Sequence, residues 1–330
     1  MAIGIGPLGD QPANDGACAY AEETLETATL IEDLGFDGVW IGERHFSPRA
    51  VLSSAPFTLA GAIARETDAV RIGTAIALPP LYQPPRFVEE AATVDVLSGG
   101  RLTIGCGIGY LDREFDAYEV DTADRVPHTL DTLDLLEAVG AQGPTSLDGR
   151  RHRYTDLDVH PPFEQSPRPP VLLAGTVPRS IGRAASHADG YLGIPAGPSF
   201  YRMARDHLED ALDQKETDYG DLQKTVMVNT FVAESMDKAW ETVRPGLRHL
   251  ERRYADWQDR EFSEPPEDPA NSDAVVGTPA EVVEQLEEFV DVMGSENLRL
   301  LLRFHYADVP TEASNRALEL ARDRVVPALR

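Results

Sequence analysis

A chain of 330 residues with 42% hydrophobic content carries 56 acidic against 30 basic residues, a formal net charge of −26. So much apolar content excludes a disordered acidic chain, and the charge excludes nucleic acid and anionic membrane as partners. An excess of this size on a folded surface is tolerable where salt screens its self-repulsion, which points to a halophilic source.

Short β-type runs alternate with helical stretches along the chain. The predicted strands are Ala2–Gly6, Gly38–Ile41, Val70–Ala77, Leu102–Gly105, Val171–Ala174, Gly190–Ile194, Thr225–Val232 and Leu298–Phe304. Phe87, Ala91, Val94 and Leu97 recur at helical spacing, as do Val283, Leu286, Val290 and Met293. Thr278-Pro279-Ala280-Glu281 reads as a capping box opening the second of these helices. Residues 143–170 and 259–273 break the alternation and read as loop insertions, the second as a mobile one. Eight strand-helix units predict a single (β/α)8 TIM-barrel domain over residues 1–330, with its active site at the carboxyl ends of the strands.

Cys18 and Cys106 are too few for a disulfide framework. His128, His152 and His160 lack metal-like spacing and read as surface or loop residues, so no metal site is expected. The amino terminus lacks a basic region followed by an apolar stretch, and no apolar run reaches membrane-spanning length. A reducing, cytoplasmic setting is the expectation.

Chemistry-bearing residues gather at predicted strand ends. Gly35-Phe36-Asp37-Gly38-Val39-Trp40-Ile41-Gly42-Glu43-Arg44-His45-Phe46 places a polar cluster after the second strand. Gly105, Gly107 and Gly109 follow the fourth at every second residue, unlike the glycine spacing of a dinucleotide fold. After the fifth strand come Gly175-Thr176-Val177-Pro178-Arg179-Ser180, a tight turn running into a helix with hydroxyls and one fixed positive charge, an anion-site pattern. Lysine occurs only at Lys215, Lys224 and Lys238, none at a strand's carboxyl end, which disfavours a Schiff-base aldolase.

These segments, with Arg71–Pro79, Val94–Arg101, Ile104–Tyr110, Glu114-Phe115 and Leu300–Phe304, follow the order of the bacterial-luciferase-like flavin-dependent oxidoreductases, which the chain resembles over nearly its full length. The resemblance implies a barrel that binds reduced FMN, or in one branch a deazaflavin coenzyme, and a monooxygenase reaction with dioxygen on an organic substrate. It also implies a reductase partner or NAD(P)H as electron source, and a homodimer. The alternatives are a deazaflavin-dependent dehydrogenase and, in another class, a flavin-binding protein without turnover.

On this reading the candidate catalytic residues are His45, Arg44 and Glu43, with Glu43 orienting its neighbours. Arg44 stands where the family has the first histidine of the motif and cannot act as a general base, so light emission is not expected. Cofactor contacts fall on Ala75, Ile76, Gly107, Ile108 and Tyr110, and on Gly175, Thr176, Arg179 and Ser180 for the phosphate. Ala75–Ile76 is where the family often carries a non-prolyl cis peptide. Trp40 and Cys106 read as buried packing residues.

Overall fold

The computed structural model describes residues 1–9, 16–46, 52–140 and 143–330. Eight parallel strands form its centre: β1 (Ala2–Leu8), β2 (Gly38–Ile41), β3 (Arg71–Thr74), β4 (Leu102–Cys106), β5 (Val171–Ala174), β6 (Gly190–Leu192), β7 (Gln223–Val232) and β8 (Leu298–Arg303). Each pairs with the next, and β8 pairs back onto β1, so the predicted barrel closes without a free edge. Around it lie helices α1 (Ala17–Asp33), α2 (Pro56–Glu66), α3 (Pro84–Ser98), α4 (Arg125–Gly140), α5 (Pro178–His187), α6 (Pro198–Asp213), α7 (Met236–Trp257), α8 (Pro279–Met293) and α9 (Thr311–Arg324). Among the described residues no helix is long and apolar enough to cross a membrane.

Local signals act where the sequence puts them. Thr278 and Glu281 form the capping box at the start of α8, and Gly99 closes α3 in the left-handed region at φ 63°. Two apolar stripes are rotated from expectation. On α3 the buried face carries Asp95 and Ser98, while Leu97 is exposed. Asp95 faces inward because Gln165 donates to it from its backbone (2.9 Å) and side-chain amide (2.7 Å), and that turns Leu97 outward. On α8 the buried positions are Val282, Leu286, Phe289, Val292 and Met293, so Val283 and Val290 flank the stripe.

Inside the barrel, Trp40 is fully buried over Leu172, Leu192, Met227 and Leu301. The strands on either side of β2 make room for the indole by lacking side chains: a Cβ on Gly73 would stand 2.3 Å from its ring, and one on Gly4 2.6 Å from its Nε1. A further strand, Val275–Gly277, pairs outside β7. At three residues it is too short to show an alternation.

Both insertions are held in place, the first as more than a loop. Within 143–170, Thr145–Asp148 and Arg153–Leu157 form an antiparallel hairpin. Its turn is fastened to α4 by the buried Asp131 carboxylate, which accepts from the N–H groups of Arg150 (2.7 Å), Arg151 (2.7 Å) and His152 (2.9 Å). Burial opposes the Asp131 charge, and these bonds outweigh it to hold the carboxyl below its usual range. Residues 259–273 are pinned to α7 at three points: Trp240 Nε1 donates to Glu267 O, Arg244 to Pro265 O and Arg248 to Glu264.

The hairpin also corrects the reading of two histidines. His128 is buried on α4, donates from Nε2 to Tyr82 O at 2.7 Å, and meets the His152 ring edge-on at 4.4 Å between centroids. His160 remains exposed, beside Asp158. Burial lowers the pKa of both His128 and His152 below the usual 6.5; His152 further lowers that of His128, while Asp131 partly offsets each shift. A depressed folded-state pKa means that the unfolded chain takes up these protons first, so stability falls as pH drops through 6.5. Thermal melts between pH 7.5 and about 5 should show a falling Tm, with a shallower slope in His152→Leu. A slope unchanged by that substitution would remove the pair from the account.

Candidate active site

At the carboxyl end of β2 the chain turns inward as Glu43-Arg44-His45. Glu43 has no exposed side-chain surface, so every lone pair must be met from within the protein. It accepts from Leu78 N–H at 2.6 Å, Tyr82 Oη at 2.9 Å and His45 Nε2 at 2.8 Å. Burial and the Glu43 charge push the Tyr82 phenol pKa far up, so Tyr82 stays a donor. The expectation that Glu43 orients Arg44 or His45 thus resolves in favour of His45 and extends to the turn after β3.

His45 is buried, and both ring nitrogens are engaged. Nδ1 lies 3.0 Å from Tyr118 Oη, whose pKa is raised by burial and by Glu43 and Glu114. With the Tyr118 hydroxyl donating to Nδ1 and a Glu43 oxygen accepting, the hydrogen bonds assign a proton to His45 Nε2. The His45 N–H donates to the buried Glu114 at 2.9 Å, from the short helix Asp112–Ala117. His45 is therefore the middle of a relay Glu43–His45–Tyr118, with Tyr118 as its exposed end. Tyr82 and Tyr118 escaped the sequence reading, and Glu114 entered it only as part of the family pattern, without a role, although Tyr118 lies one helical turn beyond it.

Arg44 points the other way, into a roof over the mouth. It donates to Tyr110 Oη at 2.9 Å and stacks on Trp257, at the end of α7, at 4.1 Å from the ring centre. Burial disfavours its charge, yet its pKa is raised because Tyr110, Tyr254 and Glu114 outweigh that cost. Tyr110 is itself exposed.

The floor of the mouth is apolar. Ala75, Ile76 and Ala174 cap the barrel interior, and the Ala75–Ile76 peptide is cis. Gly107 lies beneath Ile76: a Cβ there would stand 2.0 Å from Ile76 Cδ1. Ile108 is half-buried beside it. Cys106 is fully buried and burial raises its thiol pKa, in keeping with an inert packing role. Asn229 Oδ1, on β7, is buried with no partner.

The turn after β5 differs in detail from its expected form. Ser180 Oγ accepts from Thr176 N–H (3.0 Å) and Val177 N–H (3.1 Å), so these two amides are already paired, and Thr176 is exposed without capping the helix. Gly175 packs directly on the Ser180 backbone, where a Cβ would stand 2.6 Å away. What remains free is charge. Arg179 and Arg183 lie one turn apart on α5, and together with burial, Arg179 and Arg125 lower the Arg183 pKa. Among the described residues none of the three has an ion-pair partner.

The sequence profile of the luciferase-like monooxygenases matches residues 1–296. The chain belongs to that family. Relatives of this luciferase-like protein include limonene 1,2-monooxygenase of Rhodococcus erythropolis, 24% identical over 96% of this chain and 83% of that one. Another is the F420-dependent glucose-6-phosphate dehydrogenase of Amycolatopsis mediterranei, 25% identical over 82% of this chain and 85% of that one. Among solved structures, monooxygenase RslO1 from Streptomyces bottropensis superposes with a TM-score of 0.88, at 25% identity and full coverage of both chains. Members of the family are enzymes.

Proposed function

We propose that the protein is a flavin-dependent monooxygenase that takes reduced FMN into the barrel mouth and oxygenates a small organic substrate there. The observation that carries the phosphate end is the unpaired cluster Arg125, Arg179 and Arg183, three guanidiniums left without carboxylates on a chain of net charge −26. A phosphate dianion would satisfy them. The ring end is fitted by the apolar platform Ala75, Ile76 and Ala174, and by the unpartnered acceptor Asn229 Oδ1. The full-length likeness to RslO1, itself a monooxygenase, supports oxygenation over hydride transfer.

Bound reduced flavin supplies the electrons that activate dioxygen. The chain's own contribution is placement. Arg179 and Arg183 anchor the phosphate, Ile76 supports the ring, and the Arg44–Tyr110–Trp257 roof keeps water from the reacting face. The Glu43–His45–Tyr118 relay holds a proton at Tyr118 Oη, at the edge of the mouth. A separate flavin reductase, or NAD(P)H, is the electron source in this reading.

The test is titration with FMN and with the deazaflavin coenzyme, followed by absorbance, and then dioxygen uptake with the reduced form. FMN should bind more tightly, and its reduced complex should consume dioxygen. Tighter deazaflavin binding would transfer the site to hydride chemistry, and tight FMN without dioxygen uptake would leave a flavin carrier.

The charge excess carries a proposal of its own. Unscreened self-repulsion on this chain should be relieved by salt, so Tm should rise between low and molar KCl. An unchanged or lower Tm at high salt would refute the halophilic reading.

A further inference from the structure

The opposite end of the barrel carries charge that the reaction does not use. Nearest the amino ends of the strands the inward side chains are Arg71, Thr103, Thr225 and Arg299, and in register Arg299 stands beside Thr225 while Arg71 stands beside Gly38. The Trp40 indole hangs toward this layer, since a Cβ on Gly38 would lie 3.1 Å from its Nε1. Trp40 Nε1 and Thr225 Oγ1 are both buried with no hydrogen-bond partner, in residues with no exposed surface. The Arg299 guanidinium stacks on the Trp40 ring at 5.0 Å, and no described residue accepts a hydrogen bond from it.

Most neighbouring acceptors are engaged elsewhere, and Asp37 Oδ1 is the exception. Arg71 donates to Thr103 Oγ1 (3.2 Å), Leu102 O (3.0 Å) and Gln165 Oε1 (3.3 Å). Asp37 is engaged by the Ile3 N–H at 2.7 Å and by Arg330. What is left over at the barrel floor is therefore an indole N–H, a hydroxyl and a guanidinium, beside a second guanidinium. Burial and repulsion from Arg71 pull the Arg299 pKa down to about 10, against a partial offset from Asp37. A single negative charge would relieve the repulsion and accept from all three unused donors.

We propose that the barrel floor binds a small monovalent anion, chloride or bromide, between Arg299, Thr225 and the Trp40 indole N–H, with Arg71 as its second positive neighbour. Gly4 and Gly38 leave room for the indole beside these donors, since a Cβ would stand 2.6 and 3.1 Å from its Nε1. A monatomic ion suits it better than a phosphate. This site ties β2, β7 and β8 together from within and is separate from the mouth.

The experiment is thermal unfolding at fixed sodium concentration and ionic strength, with chloride or bromide replacing gluconate stepwise. Wild-type Tm should rise saturably with halide. Thr225→Val, a near-isosteric change, should shift the half-saturating halide concentration upward about tenfold, the scale of one hydrogen bond to an ion. In gluconate the same variant should be no less stable than wild type, because a lone buried hydroxyl has been removed. Arg299→Met should abolish the halide response, and a bromide-grown crystal should carry an anomalous peak at the floor. A Tm that ignores halide at fixed ionic strength, a response unchanged in Thr225→Val and Arg299→Met, or a floor without bromide would each overturn the proposal.

Discussion

Replacing Glu43 with alanine should cost about 3–5 kcal/mol of stability and abolish turnover, the scale seen when one partner of a buried ionic network is removed. The carboxylate has no exposed surface and meets three donors from three segments: His45 after β2, Leu78 after β3, and Tyr82 just before α3. Its loss strands all three donors together and unties the β2 turn from the β3 turn. Glu43→Gln keeps the size and one acceptor, so it should lose less stability, although its amide faces donors and cannot satisfy all three. Denaturant titration of both variants checks the order. Equal stabilities for wild type and Glu43→Ala would mean that the turns hold without the carboxylate.

Arg179→Ala should weaken FMN binding by about 1.5–3 kcal/mol, roughly ten- to a hundredfold in Kd. Riboflavin, which lacks the phosphate, should bind wild type and variant almost alike. The side chain is exposed on α5 with no carboxylate partner, so its removal costs the fold little, and the affinity change reports the ligand. Arg183→Ala should show the same selectivity. Equal losses for both ligands, or none, would place the phosphate elsewhere and leave the turn after β5 as a helix start stabilised by Ser180.

The barrel was legible because its signals are local. Most strands are short, largely apolar runs, and the Thr278–Glu281 box lies within four residues. The errors came from partners distant in sequence. Leu97 fell outside the α3 stripe because Asp95 answers Gln165, 70 residues away. His128 is buried because a hairpin that looks like loop in the sequence folds over α4. In the site, the Glu43-Arg44-His45 motif was visible as a strand end, but the partners that fix its chemistry were not. Tyr118 reaches His45 across 73 residues, and Trp257 reaches Arg44 from the far end of α7. The anion-site pattern after β5 was readable only in part. Its hydroxyl partner, Ser180, closes the turn's own amides, while Arg183, one turn along the same helix, looks like an ordinary solvated charge until the fold brings Arg125 near it.

The central claim is that the flavin lies in this mouth with its phosphate at α5, and a crystal structure with FMN bound tests it most directly. The ring should lie over the Ala75–Ile76 platform beneath the Arg44–Tyr110–Trp257 roof, and the phosphate should lie within hydrogen-bond reach of Arg179. A ring bound outside the barrel mouth, or a phosphate held away from Arg125, Arg179 and Arg183, would contradict the account.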